Sequence, residues 1–138
     1  MSNTSRHPIV LMGYVKRLPS LTPEEFYKYW ETVHAPLVVP WVLKHGITDY
    51  RQVHTPQSLR SALTPSAMEY DGYGQLTAQS LEDIQAALQD PYYAEVIEPD
   101  ERRFIDKSAA MVTAAGHQVD ILKGGEDVRR VEESTGGK

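Results

Sequence analysis

The chain has 138 residues, 41% of them hydrophobic, which fits one domain with a modest core. Its net charge of −5 speaks against nucleic acid or an anionic membrane as a partner, since both need a basic face. Cysteine is absent, which removes disulfides, thiolate zinc sites, iron–sulfur clusters and thiol nucleophiles. The opening MSNTSRHPIV has no apolar leader, and no run approaches the roughly 18 apolar residues that span a bilayer, so a soluble cytoplasmic protein is expected.

In chain order, residues 1–8 are polar and read as a flexible start. IVLMGYVK (Ile9–Lys16) reads as a strand buried on both faces. LTPEEFYKYWETVH follows. Thr22 is placed to cap a helix, Pro23 occupies the first helical position, and Glu25 completes a capping box. Phe26, Trp30, Val33, His34 and Leu37 form one apolar stripe at helical spacing. Pro36 and Pro40 are expected to break the segment into a main helix and a shorter one ending at Gly46.

ITDYRQVH (Ile47–His54) alternates and reads as a second strand. Thr55–Glu69 is a long connection with room for a short helix. YDGYGQLTA (Tyr70–Ala78) reads as a third strand, its glycines allowing close backbone approach. Ser80 caps a helix running to about Gln89, and Pro91 opens another helical stretch interrupted near Pro99. AAMVTAAGHQV (Ala109–Val119) reads as the fourth strand, so residues 9–119 form the folded domain. Residues 120–138 are charged and glycine-rich and read as a flexible tail.

The order β-α-β-β-α-β is the split pattern of a ferredoxin-like α+β fold. A first strand apolar on both sides needs cover on both, and a second copy of the same sheet supplies it. The expectation is a homodimer closing an α/β barrel.

The five histidines show no i, i+3 or i, i+4 spacing, so no metal site is expected. Gly72-Tyr73-Gly74 lies inside a strand and is no dinucleotide fingerprint, and no cofactor is expected. General acid–base chemistry remains, with histidine its agent near neutral pH. His34 lies on the apolar stripe one turn after Trp30; it is either a group that caps a last-turn carbonyl or a functional base. If strands two and three pair as a hairpin centred near residue 62 or 63, His54 faces Asp71, Gln52 faces Tyr73 and Tyr50 faces Gln75. An aspartate beside His54 would fix its tautomer; a one-residue slip would part them. His117 reads as a rim residue, and His7 and His45 as surface residues. Tyr14, Trp30, Trp41, Tyr50 and Tyr73 are candidate walls of an aromatic pocket.

YVKRLPSLTPEEFYKYWETVHAPLV (Tyr14–Val38), ITDYRQVH, EYDGYGQL and DPYYAEVIEPDERRFID together resemble EthD-domain proteins. The likeness runs over about residues 9–119 and implies a dimeric α/β barrel. HAPLVVPWVLKHGITDYRQVHTP and DPYYAEVIEPDERRFIDK are further similar to fungal EthD-type decarboxylases of anthraquinone and xanthone pathways. That resemblance implies a cofactor-free decarboxylase of an aromatic polyketide acid of the atrochrysone carboxylic acid type. His34, His54 and Asp71 stand at the family's recurring His-Ala-Pro, strand-end His and Tyr-Asp-Gly positions. A cyclase or dehydratase on the same barrel, or a non-catalytic dimeric ligand-binding protein, are the rival readings.

Overall fold

The computed structural model describes residues 7–63, 69–109 and 112–129. The order is β1 (Ile9–Val15), α1 (Pro23–Tyr29), α2 (Ala35–Lys44), β2 (Asp49–His54), α3 (Gln57–Leu63), β3 (Gly72–Ala78), α4 (Leu81–Gln89), α5 (Glu98–Glu101), β4 (Val112–His117), β5 (Leu122–Lys123) and β6 (Glu126–Asp127). The first four strands form one antiparallel sheet in the order β2-β3-β1-β4. This is the ferredoxin-like arrangement. One chain leaves β2 and β4 as edges, so it closes no barrel by itself.

Local signals place the first helix. Thr22 Oγ1 accepts from the Glu25 amide at 3.1 Å, and the Glu25 carboxylate accepts from the Thr22 amide at 2.8 Å. The helix does not break at the prolines. A π-helical turn, Trp30–His34, joins α1 to α2 without interruption. A second one, Tyr93–Ile97, leads into α5. Each closes with an amide bonded five residues back, Ala35 to Trp30 and Glu98 to Tyr93, and each is followed at once by a proline, Pro36 or Pro99. A proline ring crowds the carbonyl four residues before it and offers that carbonyl no N–H. A widened turn relieves the crowding and keeps the helix going. It also shifts the buried stripe: Phe26, Trp30, His34, Val38 and Val42 are buried in steps of four, while Val33 is 43% exposed.

The helices cover the sheet face carrying Leu11 and Val15 of β1, Leu76 and Ala78 of β3, and Tyr50 of β2. Val38, Trp41, Val42, Ile84 and Ile97 pack on one part of it, and Phe26, Trp30 and Phe104 on another. Gly72 is what lets Trp30 lie on the sheet. A Cβ there would come within 2.6 Å of both the Trp30 ring and the Val53 carbonyl.

Pairing of β2 with β3 differs from the expected register by one residue. His54 faces Gly72, Gln52 faces Gly74 and Tyr50 faces Leu76. The slip moves Asp71, Tyr73 and Gln75 to the opposite sheet face from His54. Backbone bonds hold it: the Thr55 amide donates to the Asp71 carbonyl and the Asp71 amide to the Val15 carbonyl.

Of the ends expected to be flexible, residues 1–6 and 130–138 lie outside the described residues, as do residues 110–111 near the expected start of the fourth strand. Within the described part of the expected tail, β5 and β6 pair as a two-residue ladder. Among the described residues no helix is long and apolar enough to cross a membrane.

Gly72→Ala should destabilise the fold by about 1–3 kcal/mol in urea denaturation, because backbone cannot yield the missing space. Gly116→Ala, where nothing lies within 4 Å, should stay within about 0.5 kcal/mol of the parent.

Candidate active site

Between the helices and the sheet lies a cavity of about 380 Å³. Its walls are mostly apolar, from Leu11, Trp30, Val38, Trp41 and Ile97 among others, with His34, Tyr50, Tyr93, Glu101, Gln75 and Thr113 as the polar lining residues. A small set of polar groups in an apolar hollow is the usual form of a small-molecule site. No Lys or Arg stands among the described lining residues. No group of three or more metal-ligating side chains occurs among the described residues.

His34 is the best-supported of the polar groups. It is buried, and its Nδ1 lies 2.8 Å from Oδ2 of the equally buried Asp100. The other carboxylate oxygen, Oδ1, accepts from the Tyr29 hydroxyl at 2.6 Å. A carboxylate oxygen accepts, so Nδ1 carries the hydrogen and Nε2 is the ring nitrogen left for proton transfer. Burial, together with the bond to Asp100, pushes the Tyr29 phenol up to about 12, so it stays a donor. At the cavity, the histidine with a carboxylate partner is therefore His34 rather than His54, and the partner is Asp100 on the last helical run.

Sequence reasoning missed Asp100 because it stands in the acidic run EPDE, which looks solvated. The signal was its spacing: Ile97, Asp100 and Phe104 fall at i, i+3 and i+7, one helical face, and all three are buried. A carboxylate on the buried stripe of a helix needs partners.

On the far wall, burial and the nearby Glu101 push the Tyr93 phenol well above its ordinary value. Its hydroxyl lies 3.1 and 3.2 Å from the two Glu101 oxygens, and Lys107 Nζ sits 2.6 Å from Oε1. These residues were also not singled out from sequence.

The remaining candidates are distributed as follows. Trp30, Trp41 and Tyr50 line the cavity as expected. Tyr14 and Tyr73 do not: their strand positions put them on the opposite sheet face, ring centroids 5.1 Å apart, with Tyr70 beside Tyr14. Asp71 is not beside His54. Its Oδ2 accepts from the Arg17 amide at 2.7 Å, and its carbonyl accepts from the Tyr27 hydroxyl, so it ties the ends of β1 and β3 together. His54 is sandwiched between Tyr27 and Trp30, centroids 4.8 and 5.0 Å away at interplanar angles of 21° and 20°. Its Nε2 lies 2.9 Å from Gln52 Oε1. His45, expected at the surface, is half-buried and bonded to Asp90 at 2.7 Å, because the end of α2 docks against the end of α4.

The fold and the site together define a class: a ferredoxin-like α+β domain with an apolar, aromatic cavity and, in its wall, a histidine backed by a buried carboxylate. The EthD domain model matches residues 18–108, and the chain belongs to that family. A decarboxylase of Aspergillus novofumigatus is 25% identical over 127 residues, covering 87% of this chain and 82% of that protein. A conidial pigment biosynthesis dehydratase of Metarhizium robertsii is 27% identical over 119 residues, covering 81% and 83%. Among solved structures, an EthD family protein of Bacillus halodurans superposes with TM-score 0.58 at 14% identity, over 81% of this chain and 99% of that one. A dimeric protein of ferredoxin-like fold from Bacteroides fragilis gives TM-score 0.55 at 8% identity, over 80% and 96%. Relatives of this chain are thus named as decarboxylases and as dehydratases.

Burial lowers the His54 pKa below its ordinary 6.5. The unfolded chain then binds a proton that the folded one refuses, so stability rises with pH across the window just below 6.5. The urea midpoint should fall as pH drops from about 7 to 5, and fall less in His54→Phe, whose ring keeps the stack but does not titrate.

Proposed function

We propose that this chain is a cofactor-free lyase that decarboxylates an aromatic polyketide carboxylic acid of the atrochrysone carboxylic acid type, acting as a homodimer. The observation that carries the reading is His34 in the wall of a mostly apolar cavity of about 380 Å³, backed by the buried Asp100. The names of several relatives point the same way. In a β-keto acid the bond to the carboxylate breaks and its electron pair moves through the α-carbon onto the carbonyl oxygen. Carbon dioxide leaves and an enolate remains. His34, protonated at Nε2, returns a proton to the α-carbon and so restores the ketone; its own proton is replaced from water. Asp100 stabilises the imidazolium, and the dry walls strengthen every hydrogen bond to the enolate.

One observation favours a second reading, dehydration of a β-hydroxy ketone. The described lining carries the Glu101 carboxylate and no Lys or Arg, so it suits a substrate without a free carboxylate. There His34 would start as the free base, take the α-proton, and later give it to the departing hydroxyl. Incubating the purified protein with a polyketide acid and analysing products separates the two. Carbon dioxide release supports the first, loss of water the second, and unchanged ligand would leave only a carrier.

The homodimer reading rests on Met12, Tyr14 and Tyr73, half-buried residues on the sheet face away from the helices, and on a structural neighbour described as dimeric. Sedimentation equilibrium at micromolar concentration should give twice the monomer mass of 15.5 kDa; a stable monomer would refute it. His34→Gln should lower kcat by about 10²–10⁴ with the fold intact. Asp100→Asn should lower both activity and stability, since it leaves buried partners unmatched. Near-normal turnover in His34→Gln would remove the reading.

A further inference from the structure

We propose that Tyr50 is the group that donates a hydrogen bond to the reacting carbonyl oxygen, and that Gln52 and His54 are positioning residues that aim its hydroxyl into the cavity. The proposal deepens the acid–base reading above and rests on it for the identity of the reacting group.

The argument is one of hydrogen-bond direction. Gln52 Nε2 lies 2.9 Å from the Trp30 carbonyl and 2.9 Å from the Tyr50 hydroxyl oxygen. A carbonyl only accepts, so the amide nitrogen must face Trp30, and the side chain cannot be turned over. Gln52 therefore spends one N–H on Trp30 and the other on the Tyr50 oxygen. Its Oε1 then faces His54, so His54 Nε2 must carry the hydrogen. Every link has one possible sense: His54 donates to Gln52, and Gln52 donates to Tyr50.

The line ends at a phenol whose oxygen is already accepting. Its own hydrogen has no acceptor among the described residues, and Tyr50 lines the cavity. An unspent O–H in an apolar hollow is what a carbonyl needs as it becomes an enolate oxygen. Accepting a bond from Gln52 also makes the phenol a stronger donor, because that bond favours the developing phenolate. The aromatic sandwich of Tyr27, His54 and Trp30 keeps the far end of the line from swinging. The chain so supplies two groups with separate tasks. His34 exchanges a proton with carbon, and Tyr50 holds the oxygen.

Two measurements test this. The first uses fluorenone, a flat ketone, as the probe, and reads its carbonyl stretch by infrared spectroscopy in the bound state. Fluorenone should bind with the band moved to lower frequency than in an apolar solvent. Tyr50→Phe should lose that movement and bind about 2- to 10-fold more weakly, the worth of one neutral hydrogen bond. Gln52→Glu should also lose it, because a carboxylate beside Tyr50 would take the hydroxyl hydrogen for itself. The second measurement needs no ligand. Magnetic resonance of ring-labelled tyrosine should show Tyr50 ionising about one to two units higher in Gln52→Leu than in the parent. His54→Phe, which preserves the stack but cannot donate to Gln52, should shift it the same way by less. His34→Gln should leave the Tyr50 ionisation at its parent value while lowering turnover by about 10²–10⁴, so failure of the base and failure of the donor are told apart. A carbonyl band equal in the parent and Tyr50→Phe, or a Tyr50 ionisation unmoved by Gln52→Leu, would overturn the proposal.

Discussion

A carboxylate without water around it must be matched by donors, and Asp100 meets that demand from two residues of a distant helical run. Tyr29 and His34 come from the first helical run, and Asp100 from the last. The same two bonds therefore hold the outer layer together and hold the imidazole still. Neither group can relax separately. Moving His34 exposes an unmatched carboxylate, and moving Asp100 frees a ring that packs on Phe104 at 4.8 Å. The π-helical turns belong to this arrangement: one contains His34 and the other ends three residues before Asp100. Both are answers to a following proline, and both bring a polar side chain, His34 or Asp100, round to the buried face.

On the sheet side, the governing constraint is space. Gly72 and Gly74 strip β3 of side chains where Trp30 lies down, and Trp30 in turn supports the His54 ring. The neighbouring Tyr50 and Gln52 can then reach the cavity and the Trp30 carbonyl. A bulkier residue in β3 would push the indole off the sheet and undo the polar line that leads to Tyr50.

Local features of the fold were plain in the sequence because local chemistry sets them. The Thr22–Glu25 box and the Ser80 cap each need only the residues within a single turn, and both form as expected. The four main strands were legible for the same reason. The His54 register was not. It depends on how the long connection from Thr55 to Asp71 is taken up, and α3 within that connection sets a count that alternation alone cannot supply. Pro36 was read as a breaker because helix rules describe the α form, whereas the chain escapes by widening a turn. Asp100 was hidden by its acidic neighbours, although its position on the Ile97–Phe104 face gave it away. Tyr14 and Tyr73 were read as pocket walls for being aromatic, yet strand parity alone sends them to the other side of the sheet.

The sequence contains two tryptophans, and both stand in the cavity wall, Trp30 and Trp41. The tryptophan fluorescence of this chain is therefore emitted from the cavity wall itself. One emitter is stacked on an imidazole that quenches it when charged, and the other donates its ring N–H to the Ala87 carbonyl at 2.8 Å. A flat coloured guest would take up their excitation by energy transfer over a few ångströms. The unlabelled protein is in this sense its own optical sensor, and a library of aromatic acids and ketones can be screened against it by emission alone, before any product is known.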